Sequence, residues 1–221
     1  MKANAIPVER LLEVAETLFP NAECELNHHS PFQLAIAVIL SAQTTDAAVN
    51  RITPSLFARY PDASTLAKAA LEDLEDQLKT IGLYRNKARH IHALAQIVVE
   101  HHGGELPRDF DTLCSLPGVG RKSANVIVSV AYGQPGLAVD THVLRVSQRL
   151  GIVAQSDDPV KAELKLKRKI ERSRWSRAHH VILFFGRYHC TAKKPACVSC
   201  PLSAQCRYYQ SLLKTKEKRA Q

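Results

Sequence analysis

Leu116-Pro117-Gly118-Val119-Gly120-Arg121-Lys122-Ser123-Ala124 is the stretch that decides the fold. A short helix, Phe110 to Leu116, runs into a hairpin made by two glycines, and a second helix, Lys122 to Tyr132, begins at once and stops at Gly133. Gly118 and Gly120 leave backbone N–H groups open at the positive end of that second helix, a ready anion site. Contacts of this kind hold a phosphate backbone without reading its sequence. The same residues also make a tight helix–helix turn that binds nothing. Val119 at the tip and Ala124 allow the close packing such a hairpin needs. Lys122 falls in the first helical turn, the wrong end for a cation. The helix end and Arg121 favour its uncharged form, which is the nucleophilic one. A plain point-charge contact to phosphate is the alternative.

Downstream, Val139-Asp140-Thr141-His142-Val143-Leu144-Arg145-Val146 puts Asp140 at the N-cap of an amphipathic helix running to Leu150. Capping alone explains an aspartate there. Beside an unprotonated lysine, the same carboxylate can relay protons or stabilise positive charge developing on a sugar. The remaining periodicity is helical almost throughout: Val8–Phe19, Phe32–Leu40, Asp46–Tyr60, Ser64–Ala70, Leu71–Lys79, Asn86–His101, Pro159–Arg172 and Arg177–Tyr188. The expected fold class is all-α, in two helical lobes with a cleft near the connector Gln134–Asp140.

With 45% apolar and 23% charged residues in 221, the chain is not chiefly disordered. Its longest apolar run, Leu34–Leu40, is far short of the roughly 20 residues a bilayer needs. No signal peptide is visible, and the expected compartment is the cytoplasm. The net charge of +9 is uneven: residues 1–110 carry 10 Lys and Arg against 14 Asp and Glu, residues 111–221 carry 20 against 7. A basic half suggests a polyanion, most commonly nucleic acid, or merely a solvated surface. Lys161–Arg177 alone holds eight Lys or Arg and two Glu, and the tail Lys214–Arg219 is expected to be disordered.

Cys190, Cys197, Cys200 and Cys206 give C-x6-C-x2-C-x5-C. In the expected compartment this favours metal ligation over two disulfides. The spacing suits either zinc or an iron–sulfur cluster. Cys24 and Cys114 stand apart and are expected to be buried as small hydrophobes.

LPGVGRKSANVIV from Leu116, VDTHVLRVSQRLG from Val139, the cysteine loop, LSAQTTD from Leu40 and IGLYRNKA from Ile81 together resemble the bacterial endonuclease III family, in the helix–hairpin–helix superfamily of DNA glycosylases. The resemblance covers nearly the whole chain. It implies a bifunctional glycosylase and apurinic/apyrimidinic lyase of base excision repair, acting as a nucleoid-associated monomer on double-stranded DNA with oxidised pyrimidines or abasic sites. It implies a six-helix barrel domain with the hairpin, residues 22–134, and a [4Fe-4S] cluster domain, residues 1–21 with 135–221, DNA lying between them. Lys122 matches the family's nucleophile, Asp140 its essential aspartate, and the four cysteines its cluster ligands. Gln43 matches the residue filling the hole left by a flipped nucleotide, and Leu83 the wedge into the opposite strand. The alternatives are a helix-capping amide and a core leucine. Ser41, Asp46 and His142 are further candidates around the damaged base. Three rivals share parts of this pattern: a monofunctional adenine glycosylase, which lacks the lysine and carries a further C-terminal domain; a non-enzymatic hairpin module; and a zinc-stapled helical protein without a DNA role.

Overall fold

The computed structural model describes residues 5–220, with side chains to Thr215. All regular structure among them is helical: α1 (Val8–Leu18), α2 (Pro31–Leu40), α3 (Asp46–Arg59), α4 (Ala63–Leu66), α5 (Leu71–Leu78), α6 (Tyr84–His102), α7 (Phe110–Ser115), α8 (Arg121–Tyr132), α9 (Thr141–Arg149), α10 (Pro159–Lys169), α11 (Trp175–Phe184) and α12 (Arg207–Ala220). Short 3-10 turns occupy Arg172–Arg174 and Ser203–Gln205. No helix is long and apolar enough to cross a membrane. The chain divides into two compact units, one of residues 24–134 and one joining the N-terminal segment through Glu23 to Pro135 and beyond.

In the first unit α2 is the hub. Ser30 caps it by accepting from the Gln33 amide, and Pro31 at its first position suits the start of a helix. Nine of its ten residues are buried, because α3, α6 and α8 pack around it. α4 and α5 lie against α6, and α7 lies against α8. Leu113, Leu116, Val119 and Ala124 all belong to this unit's apolar core, which fixes the turn between α7 and α8 from beneath. Cys24 and Cys114 are only partly buried, packed against that core.

The second unit has its own core, built from α1, α9, α10 and α11. α11 continues as a π-helical stretch, Phe185–His189, that delivers the chain to Cys190. Gly186 lets this stretch lie close on α9: a Cβ there would sit 2.9 Å from the His142 Cβ and 3.0 Å from its carbonyl oxygen.

Several helix limits differ from those the periodicity predicts. The expected helix Ser64–Ala70 is one turn, Ala63–Leu66, started by an Asp62 capping box, and Ala70 is already extended. α10 stops at Lys169 rather than Arg172, since Ile170 turns extended, buries its side chain and gives its carbonyl to the Trp175 indole at 3.0 Å. α12 was not predicted, and its helical backbone takes in the tail expected to be disordered, to Ala220.

Candidate functional site

The hairpin Leu116–Gly120 is built by backbone geometry. Gly118 has φ +78, and a Cβ there would lie 3.0 Å from the His90 Cβ and 3.2 Å from Ile39 Cγ2, so conformation and space both require glycine. Gly120, with φ −89, has nothing within 4 Å of such a Cβ and opens onto solvent. Val119 points inward, 3% exposed, and its amide donates to the Leu116 carbonyl at 3.1 Å. Its contribution is packing. The amides of Gly118 and Gly120 make no hydrogen bond within the described residues. They lie at the N-terminal, positive end of α8. Lys122, the second residue of α8, is exposed and makes no ion pair or hydrogen bond among the described residues.

Asp140 caps α9. Its Oδ1 accepts from the His142 amide at 2.9 Å and the Val143 amide at 2.8 Å. Its Oδ2 accepts nothing among the described residues, so one oxygen fixes the carboxylate and the other stays available. Capping and chemistry are therefore compatible at this residue. His142 is half-buried; burial pushes its imidazole below the ordinary range, Asp140 opposes this, and Arg145 adds to it. A neutral ring is what the neighbouring guanidinium needs, because Arg145 Nη2 approaches His142 Nδ1 at 3.2 Å as donor.

Gln43 and Leu83 are the two non-glycine residues among those described with left-handed backbone, at φ 54 and φ 59. Leu83 is 56% exposed, which excludes a core leucine. Gln43 is exposed too, and the cap of α3 is Thr45, whose side chain accepts from the Ala48 amide; this excludes the capping amide. Ser41 ends α2 with its hydroxyl on the Val38 carbonyl at 2.8 Å, and Asp46 opens α3; both are half-buried. Sequence reasoning passed over Lys87, a buried lysine whose Nζ donates to Thr44 Oγ1 at 2.6 Å. The available signal was a cation four residues before Ile91, on the apolar face of α6.

Cys190, Cys197, Cys200 and Cys206 line one cavity with Phe185, His189, Tyr208 and Tyr209. None of the six cysteines is in a disulfide. Among the described residues no three metal-ligating side chains are grouped to hold a single ion. The donor set nevertheless fits a thiolate-ligated cofactor. Burial pushes the Cys197, Cys200 and Cys206 thiols up, and the neighbouring cysteines add to this, so a bound cation would favour their thiolate forms. Arg149 holds the start of the loop, donating to the Thr191 carbonyl at 2.8 Å and the Ala192 carbonyl at 3.0 Å, with Cys190 Sγ at 3.4 Å.

The basic stretch Lys161–Arg177 is largely structural. Lys165 pairs with Asp157 at 2.7 Å and Lys167 with Glu163 at 2.7 Å; Arg174 pairs with Glu16 at 3.0 Å. Arg177 donates to the carbonyls of Pro20 at 2.7 Å and Ala22 at 3.0 Å. Only Arg168 and Lys169 in this stretch are both exposed and without a partner among the described residues.

Residues 36–172 match the HhH-GPD family, described as HhH-GPD superfamily base excision DNA repair protein. The chain is 52% identical to endonuclease III of Bacillus subtilis (strain 168), over 92% of its length and 93% of the relative's. It is 42% identical to endonuclease III of Rickettsia conorii, over 93% of its own length and 97% of that protein's. A solved structure of a trapped endonuclease III–DNA covalent intermediate, an estranged-adenine complex, superposes with a TM-score of 0.91 at 48% identity, covering 94% of this chain and 99% of that one. The hairpin, the lysine behind it and the capped aspartate thus stand on a fold and sequence shared with these enzymes, and the chain belongs to the HhH-GPD superfamily of base excision DNA repair proteins and, within it, to the endonuclease III family of DNA glycosylases and lyases.

Proposed function

We propose that the protein removes oxidised pyrimidines from duplex DNA as a bifunctional glycosylase and apurinic/apyrimidinic lyase, working through a lysine Schiff base. The observation that carries this reading is Lys122: an exposed primary amine without a partner among the described residues, directly behind a hairpin whose Gly118 and Gly120 amides are left unbonded among them. The hairpin amides hold a phosphate, which positions the strand without reading it. The damaged nucleotide leaves the stack so that its sugar can be reached. Lys122 Nζ attacks C1′, the bond to the base breaks, and the base departs with a proton. The imine that results makes the C2′ proton acidic; its loss expels the 3′ phosphate, and water then hydrolyses the imine to free the amine. Asp140 Oδ2 stabilises the positive charge that develops at the sugar. Gln43 and Leu83 enter the duplex in place of the lost base and its stacking. Ser41, Asp46 and His142 contact the surroundings of the flipped base.

Cys190, Cys197, Cys200 and Cys206 hold a [4Fe-4S] cluster, which cross-links the loop and takes no part in the chemistry. The working domains in this reading are the six-helix barrel of residues 22–134, and the cluster domain of residues 1–21 with 135–221. The enzyme acts as a monomer in the bacterial cytoplasm, associated with the nucleoid. A relative trapped as a covalent DNA intermediate supports the covalent route.

Borohydride reduction tests it. A covalent adduct should form with duplex DNA carrying an oxidised pyrimidine or an abasic site, and Lys122→Ala should abolish that adduct while leaving binding largely intact. An adduct that survives the substitution removes Lys122 as the nucleophile.

A further inference from the structure

Left-handed backbone at a non-glycine residue is strained and persists only where the surroundings impose it. The described residues contain two such positions, Gln43 and Leu83, and one residue reaches both turns, the first by its side chain and the second by the backbone amide that opens α6. Lys87 is 3% exposed. Its ammonium donates to the hydroxyl of Thr44, the residue after Gln43, at 2.6 Å. Its backbone amide donates to the Leu83 carbonyl at 3.1 Å. Thr44 in turn donates its amide to the Ser41 carbonyl at 3.1 Å, and Thr45 caps α3, so the segment reached by Lys87 is itself an ordered turn.

Packing does not call for an ammonium here. A buried charge is costly, and burial pushes the Lys87 amine below its ordinary range. Thr44 is its one side-chain partner among the described residues, with no carboxylate to offset the charge. An apolar side chain of similar length would fill the same space on the inner face of α6. What it would lack is the bond across to the Gln43 turn.

We propose that Lys87 is a positioning residue, and that its hydrogen bond to Thr44 locks the Gln43 and Leu83 turns into one preorganised pair that enters the duplex together. This rests on the reading of Gln43 and Leu83 as inserting residues. Without the bond each turn relaxes toward ordinary backbone on its own, and binding opened DNA must first restore both. Affinity for intact duplex, which uses no insertion, stays unchanged.

The test uses the full chain and a duplex with a tetrahydrofuran abasic analogue beside 2-aminopurine, whose fluorescence rises when it unstacks. Thr44→Val keeps the shape and removes the acceptor; Thr44→Ser keeps the acceptor. Thr44→Val is expected to lose most of the fluorescence rise and about tenfold in the preference for the analogue over intact duplex, with a lowered melting temperature because the buried ammonium loses its partner; Thr44→Ser should behave as wild type in all three. In a Gln43→Ala/Leu83→Ala background, Thr44→Val should cost little more, since the pair it positions is gone. If Gln43→Ala and Leu83→Ala lose the signal while Thr44→Val keeps it, the role of Lys87 falls and the insertion reading stands. If Thr44→Ser fails as badly as Thr44→Val, the hydroxyl is not the operative group, and the proposal is overturned. If Gln43→Ala and Leu83→Ala are both silent, the insertion reading fails and takes the proposal with it.

Discussion

The unit of residues 24–134 closes around its own aliphatic side chains: Leu34, Ile36, Leu40, Leu56, Ile91 and Leu94 are all fully buried. The unit that carries Asp140 and the cysteines closes differently. Its segments are tied together by side-chain N–H donors reaching backbone carbonyls: Arg145 to Gly186 at 2.6 Å, Arg149 to Thr191 at 2.8 Å, Arg177 to Pro20 at 2.7 Å, and His179 to Ala138 at 2.9 Å. Its cysteine loop surrounds a cavity rather than a core. A hydrophobic core stabilises without help, whereas thiols that repel one another as they ionise need a cation to become part of the structure. In the proposed reading, one unit closes on its core alone and the other adds a cofactor to its core.

Cys200→Ser should break that comparison most visibly. Structural metal sites contribute folding free energy outright. Amides of α9 and α11 are expected to lose hydrogen-exchange protection on the order of 100-fold, together with the visible absorbance of the cluster, while α2 and α8 keep theirs. Equal losses in both units would mean that the first unit does not close on its core alone.

Asp140 is next in size. Asp140→Asn retains an Oδ1 that can cap α9, so the melting temperature should hold while the rate of chemistry falls about 10²–10⁴-fold. Asp140→Ala removes both oxygens and should add a loss of about 1 kcal/mol in stability. An Asn variant with full activity would leave Asp140 a cap and nothing more.

Legibility in the sequence follows the same division. The hairpin could be read because Gly118 leaves a backbone trace: a left-handed turn against His90 and Ile39 that only glycine fits. The four cysteines could be grouped because their spacing is local, and they do line one cavity. Asp140 was legible as a cap, but not as a cap that leaves one oxygen unused, since that depends on where two amides point. The left-handed turns at Gln43 and Leu83 had no signal in periodicity, because their strain is maintained by packing from elsewhere in the chain. Charge pointed to the class of partner but not to the surface that meets it: two of the similar solved structures are endonuclease III–DNA complexes. The basic half suggested a polyanion-facing surface, yet Arg145, Arg149, Arg174, Arg177, Lys165 and Lys167 are engaged within the protein. A count of cations does not tell which ones face outward.

The two hairpin glycines sharpen the contrast between stability and binding on a single loop. Gly118→Ala must place a Cβ 3.0 Å from His90 on backbone with φ +78, and should cost about 1–3 kcal/mol in stability. Gly120→Ala meets no protein atom and keeps ordinary backbone, so its stability loss should be smaller, on the order of 1 kcal/mol at an N-cap. Its methyl projects where a phosphate would approach, and DNA affinity should fall several-fold. Similar affinity losses from both substitutions would show that the open side of the hairpin is not the binding side.

The smallest effect is a difference in acid sensitivity between the units. Burial pushes His142 and His180 below the ordinary histidine range near 6.5; Asp140 opposes it at His142, where Arg145 and Arg187 reinforce it, and the Ser176 carbonyl and Glu23 oppose it at His180, where Arg177 reinforces it. A histidine with a lowered value in the fold is protonated first in the unfolded chain. Stability is therefore complete above about 6.5 and declines as pH falls from there toward the lowered values. Lys87 in the other unit works at the opposite end: its lowered value means that the fold penalises its charge at neutral pH and is relieved as pH rises through that value toward 10.5. From pH 7.5 to 5.5, with the intrinsic slowing of exchange divided out, the protection factors of amides in α9 and α11 should fall while those in α2 and α6 change less, and His142→Gln should reduce that asymmetry. Equal losses of protection in both units would trace acid sensitivity to the first unit's core as much as to the histidines of its neighbour.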